Sequence, residues 1–119
     1  MNFFAPIVVR RVTWQESGDA LHAIRRAVFI EEQNVPAALE WDGADDECLH
    51  VLATTAAGAA VGTGRLLPDA HIGRMAVLAT WRGRGVGRLM LAELIGAARE
   101  RGYPAVELSA QTHATGFYA

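Results

Sequence analysis

The chain has 119 residues, 51% of them hydrophobic, and a formal net charge of −2. That length suits one domain with one core, read here over residues 1–119, and the apolar content excludes a disordered chain. A charge so near zero makes no case for nucleic acid or an anionic membrane as partner, and no apolar run approaches the ~20 residues that span a bilayer.

The start, Met1 to Pro6, lacks the basic segment of a secretory signal. The single Cys48 excludes an internal disulfide and suits a reducing compartment. A cytoplasmic location is therefore expected. The charge is unevenly spread. Nine of the thirteen acids precede residue 48, while seven of the eleven basic residues, all arginine, lie at Arg65 or later.

Ile7 to Val12 is β-rich and reads as the first strand. Thr13 to Asp19 holds turn and cap residues, with Ser17 or Asp19 as the cap of the helix that follows. Ala20 to Ile30 is helical in pattern, with Leu21, Ile24 and Val28 on one face, and Arg25 and Arg26 turned to solvent or to Glu31 and Glu32. Val35-Pro36 interrupts it, and Pro36 to Glu40 reads as a short second helix. An acidic cluster follows: Glu40, Asp42, Asp45, Asp46 and Glu47. The EF-hand spacing is missing, because Gly43 directly follows Asp42, so no metal site is assigned. Two readings remain, a solvated loop and an electrostatic funnel for a cationic amine.

Cys48 to Thr54 is a strand, Gly58 a turn, and Ala60 to Leu67 the next strand, an expected antiparallel hairpin. Cys48 and His50 fall on one face. A nucleophile pair also needs an orienting group, and none is readable; a buried thiol is the plainer reading.

The most informative stretch is 71–101. His71 to Val77 is β-prone. Leu78-Ala79-Thr80 turns the chain into Trp81-Arg82-Gly83-Arg84-Gly85-Val86-Gly87-Arg88. Apolar residues then recur at Val86, Met90, Leu94 and Ala97, a helical spacing that stops at Gly102 and Pro104. Strand, Gly/Arg turn and helix place unpaired backbone N–H groups and the positive end of a helix dipole at one point. The glycines open the backbone to an anion, and Arg82, Arg84 and Arg88 add charge, which makes a pyrophosphate cradle. A Walker-type loop is excluded, since the chain has no lysine. A dinucleotide fingerprint fails because Arg88 stands at its third glycine. Ala105 to Ala110 is the last clear strand.

The spacing Arg82-x-x-Gly85-x-Gly87 between strand and helix resembles the acyl-CoA signature of the GNAT N-acetyltransferase superfamily. Three further stretches are similar to its ElaA/YjcF-type subgroup: Arg26 to Pro36 with Glu40-Trp41-Asp42 and Asp45, then Ile72 to Val77, then Ala110 to Ala114 with Phe117-Tyr118. The resemblance covers nearly the whole chain. It implies the acyl-CoA N-acyltransferase fold, an α/β (α+β) architecture with a mixed, mostly antiparallel sheet flanked by helices.

It also implies site residues. Backbone groups of Met75, Ala76 and Val77 would pair with the pantetheine arm of acetyl-CoA, the co-substrate. The amides of Gly83, Arg84, Gly85, Val86, Gly87 and Arg88 would hold the pyrophosphate, with Arg82 opening the motif. Gln111 stands where many members carry an Asn seven residues before the catalytic Tyr, and Tyr118 stands where that Tyr protonates the departing thiolate. The general base is open among Glu32, His50, Glu107 and water. The implied activity is acetyl transfer from acetyl-CoA to the primary amine of a small molecule by direct attack in a ternary complex; a non-catalytic acyl-CoA-binding module is the alternative. The family pattern continues beyond this Tyr with two closing strands, whereas the chain stops at Ala119. The expectation is a C-terminally short domain, or strands supplied by a partner chain in a homodimer.

Overall fold

The computed structural model describes residues 6–108. Strand β1, Ile7–Val12, leads into α1, Trp14–Arg25, which runs on as a π-helical segment, Arg26–Glu32. The short α2, Ala37–Glu40, and a 3₁₀ turn, Asp45–Glu47, precede β2, Leu49–Thr55, β3, Ala60–Leu66, and β4, His71–Val77. A second 3₁₀ turn, Ala79–Trp81, opens onto α3, Val86–Glu100, and β5 covers Glu107–Leu108. The sheet order is β1-β2-β3-β4-β5. The first three pairings are antiparallel and the last is parallel, so the mixed sheet is the expected one.

Helix α1 starts earlier than its apolar period suggests. Thr13, not Ser17 or Asp19, is the cap. Its hydroxyl accepts from Glu16 N at 3.1 Å, and Glu16 Oε1 accepts from Thr13 N at 3.1 Å. This reciprocal box satisfies two orphan donors at once. It was readable as Thr13-x-x-Glu16, but Ser17 leaves helical geometry (φ −128°, ψ 15°) and breaks the pattern behind it.

The sheet divides two cores. On one face α3 sets Val86, Met90, Leu94 and Ala97 against Val51, Val61, Ile72, Met75 and Val77. Helix and sheet approach closely because β3 carries Gly64 there. A Cβ at that position would lie 2.5 Å from Met75 Sδ and 3.0 Å from Leu94 Cδ1. On the other face Ile24, Val28 and Phe29 of α1 and its extension pack on Ala76.

Strand β4 is not a regular alternation. Arg65 pairs with Gly73 and Thr63 with Ala76. Gly64 therefore faces two residues, Arg74 and Met75, which is a β-bulge. Arg74 takes φ +51°, a region bulky residues seldom visit. The extra residue explains how Ile72 and Met75, three apart, both reach the α3 core.

Candidate active site

The end of β4, the Gly/Arg turn and the start of α3 form one continuous surface. Gly83 (φ +75°) and Gly85 (φ +83°) are left-handed, and no side chain caps Gly85. A Cβ on either would meet nothing within 4 Å, so the backbone is open to approach. The first helical bond runs from Leu89 N to Gly85 O at 3.1 Å. The N–H groups of Val86, Gly87 and Arg88 precede it and have no carbonyl within the helix. Their dipoles sum to partial positive charge at this end.

The arginines of the turn do not act alike. Arg82 donates through both terminal nitrogens to Glu32, at 2.5 and 2.6 Å, and through Nε to Val77 O at 3.0 Å. These contacts tie the end of the α1 extension to the end of β4. Glu32 thus sits against the charge that Arg82 was expected to bring to the cradle. Glu32 in turn is held below its usual range by the Arg82 hydrogen bonds. Arg84 lies over the Trp81 ring at 4.9 Å, a cation–π contact. Arg88 is exposed.

The ladder also sorts the β4 backbone. Leu78 N bonds to Val61 O at 2.9 Å. Bonded and non-bonded pairs alternate, so Ala76–Thr63 is a bonded pair and Val77–Gly62 is not. Val77 therefore directs its N–H and C=O away from β3, whereas Ala76 spends its own on β3. Of the three residues expected to offer backbone groups, Ala76 thus turns its own to β3 and Val77 turns its own away, while Met75 lies in the bulge. Among the described residues, β4 pairs with β5 only at His71–Glu107 and Ile72–Leu108. The edge beyond Ile72 has no described strand beside it and points towards the turn.

The acidic cluster divides: Asp46 and Glu47 are exposed, whereas Glu40, Asp42 and Asp45 are paired with arginines. Glu40 and Asp45 are buried, and Arg25, expected in solvent or against Glu31 and Glu32, is 1% exposed. Arg25 binds Glu40 at 2.5 Å and Asp45 at 2.6 Å. Arg65 binds Asp42 at 2.5 Å and Asp45 at 3.0 Å. Arg74 lies 3.3 Å from both Glu40 and Asp42. Three carboxylates thus meet three guanidiniums, and Trp14 and Trp41 flank Arg25 at 5.5 and 4.9 Å. Burial pushes the Glu40 carboxyl up, against the pull of Arg25. The Arg65 hydrogen bonds hold Asp42 well below the carboxylate range. Arginines 15 to 32 positions away in the chain bond these acids, a separation at which no periodicity speaks.

The base candidates are also engaged. His50 is buried, its Nε2 is 2.9 Å from Asp45 O, and burial lowers its pKa. Glu107 contacts His71 at 2.7 Å, and Glu32 holds Arg82. Cys48 is buried with its Sγ donating to Ala44 O at 3.2 Å, and burial raises its thiol to about 11. Gln111 and Tyr118 lie outside the described residues.

The family model for the GNAT acetyltransferases matches residues 18–119. The chain belongs to the GNAT acetyltransferase family. The Bacillus subtilis N-acetyltransferase YjcF is 37% identical over 98 residues, covering 80% of this chain and 69% of its own. Escherichia coli ElaA superposes with a TM-score of 0.78 at 28% identity, over 95% of this chain and 84% of its own. The aminoglycoside N-acetyltransferase AAC(6')-Iy, solved with CoA, shares the GNAT fold at a TM-score of 0.70 and 13% identity, over 96% and 83%. Among the described residues of this GNAT chain, no helix is long and apolar enough to cross a membrane.

Proposed function

We propose that the chain moves an acetyl group from acetyl-CoA to the primary amine of a small molecule by direct attack in a ternary complex. The observation that carries this reading is that, among the described residues, the β4 edge beyond Ile72 is continuous with the uncapped start of α3. One surface offers strand-edge hydrogen bonds to an extended amide-bearing arm and, next to them, a helix start to a pyrophosphate. The CoA held by the AAC(6')-Iy neighbour supports the same ligand class.

On this reading Met75 and Val77 pair with the pantetheine amides, and the amides of residues 83–88 take the pyrophosphate. Arg84 and Arg88 add positive charge, and Arg82 braces the turn through Glu32 and Val77. The thioester is already activated, so holding the amine against it supplies much of the rate. The amine nitrogen attacks the carbonyl carbon, a backbone N–H at the bulge stabilises the oxyanion, and the C–S bond breaks. Tyr118, by resemblance, passes its phenolic proton to the thiolate. Glu32, His50 and Glu107 are each engaged by a partner, so water takes the ammonium proton. Asp42 and Asp45 are neutralised internally and select no acceptor charge.

The test is thiol release from acetyl-CoA across a panel of small amines, beside calorimetry of CoA binding. The expected result is binding plus amine-dependent thiol release. Binding with no thiol release from any amine would make the chain an acyl-CoA-binding module, and no binding would remove the cradle.

A further inference from the structure

We propose that Arg74 is a positioning residue, whose ion pairs with Glu40 and Asp42 fix the left-handed bulge that aims the Met75–Val77 edge; this rests on the acyl-CoA reading above. A non-glycine residue at φ +51° persists only where its surroundings over-determine it. At Arg74 the surroundings are specific. Its Nη2 donates to Leu39 O at 3.2 Å and to Asp42 Oδ2 at 3.3 Å, and its Nε lies 3.3 Å from Glu40 Oε2.

These partners are themselves anchored. Arg25 of α1 bonds Glu40, and Arg65 of β3 bonds Asp42. The guanidinium of Arg74 is thus tied through them to two other elements of the fold. Strand alternation alone would turn Arg74 to the face that Ile72 occupies, into the apolar core under α3. The left-handed turn sends it instead to the acidic side and lets Met75 take the core position. Backbone conformation and ion pairs are therefore two sides of one arrangement. Loss of the pairs would let β4 slide towards regular register, and each slipped residue reverses which groups face the edge.

The test compares Arg74→Ala with Arg74→Gly. Both remove the guanidinium, but glycine adopts φ +51° without a Cβ penalty. The reading predicts that kcat at saturating acetyl-CoA falls ~10- to 100-fold in Arg74→Ala, the scale of a small misplacement. Arg74→Gly should recover most of that loss. Asp42→Asn should lower kcat in the wild-type background and cost nothing further in Arg74→Gly. That comparison serves alone if the alanine variant does not fold. Equal kcat in the Ala and Gly variants, or an Asp42→Asn effect of the same size in both backgrounds, overturns the proposal. Wild-type protein that binds no CoA by calorimetry would overturn the acyl-CoA reading itself, and this proposal with it. A role in stability alone would move melting temperatures and leave kcat of the folded variants unchanged.

Discussion

Glu40→Gln is the sharpest probe of the buried network. Glu40 is 0% and Arg25 is 1% exposed, with 2.5 Å between Oε1 and Nε. Gln keeps the shape and one acceptor but removes the charge, so Arg25 is left with Asp45 alone as its counter-ion. Breaking a buried pair from one side costs ~3–5 kcal/mol, and the amide oxygen that still accepts from Arg25 returns ~1 kcal/mol. Burial already pushes the wild-type carboxyl up, which places the net loss near ~3 kcal/mol by the same reasoning. Unfolding entropy for 119 residues is ~0.25 kcal/mol per kelvin at ~2.1 cal/mol per kelvin per residue. The melting temperature should therefore fall by ~12 °C. The control is Glu32→Gln, which breaks an equally short Arg–carboxylate contact with side chains 39% and 38% exposed. An exposed pair is worth at most ~1 kcal/mol, or ~4 °C. Thermal and urea unfolding followed by circular dichroism reads both. A Glu40→Gln loss no larger than that of Glu32→Gln would refute the view that these carboxylates are buried and paired.

The remaining predictions address pH and chemistry. Arg65 holds the Asp42 carboxyl below its ordinary value, so the pair stabilises the fold fully above ~pH 4, the unfolded carboxylate's range, and that contribution is lost as pH falls through the folded value. Asp42→Asn should lower stability at pH 7 and flatten its decline on acidification; an unchanged acid limb in urea titrations would refute the pairing. Gly85→Asp places a side chain at φ +83° and a negative charge at the proposed anion site. CoA affinity should fall at least ~10-fold by calorimetry, and an unaltered affinity would refute the cradle. Tyr118→Phe should leave CoA binding intact and lower kcat by ~10²–10⁴-fold, with a smaller loss for a thioester whose thiolate leaves more readily. Equal wild-type and Phe rates would remove Tyr118 from the mechanism.

Local pattern sufficed for strand β1, the β2–β3 hairpin and the strand–turn–helix of 71–101, because period, glycine and proline act within a few residues. Gly102 ends α3 with φ +78°, as its position after the last apolar repeat implies. The motif Arg82-x-x-Gly85-x-Gly87 likewise pointed to the family, since a helix start with glycines is a local device for an anion. The bulge left a trace, the spacing of three between Ile72 and Met75, but an alternating reading passes over it. What each charge does was decided only in three dimensions. The acidic cluster and the arginines are visible as signs along the chain, and sign alone suits a solvated loop or a funnel equally. Arg25 is buried because Glu40 and Asp45 come within bonding distance of it, and Arg82 has a carboxylate partner because Glu32, 50 residues away, reaches it. A buried charge is tolerable only against a partner in contact, and that contact depends on how α1, the acidic loop, β3 and β4 pack together.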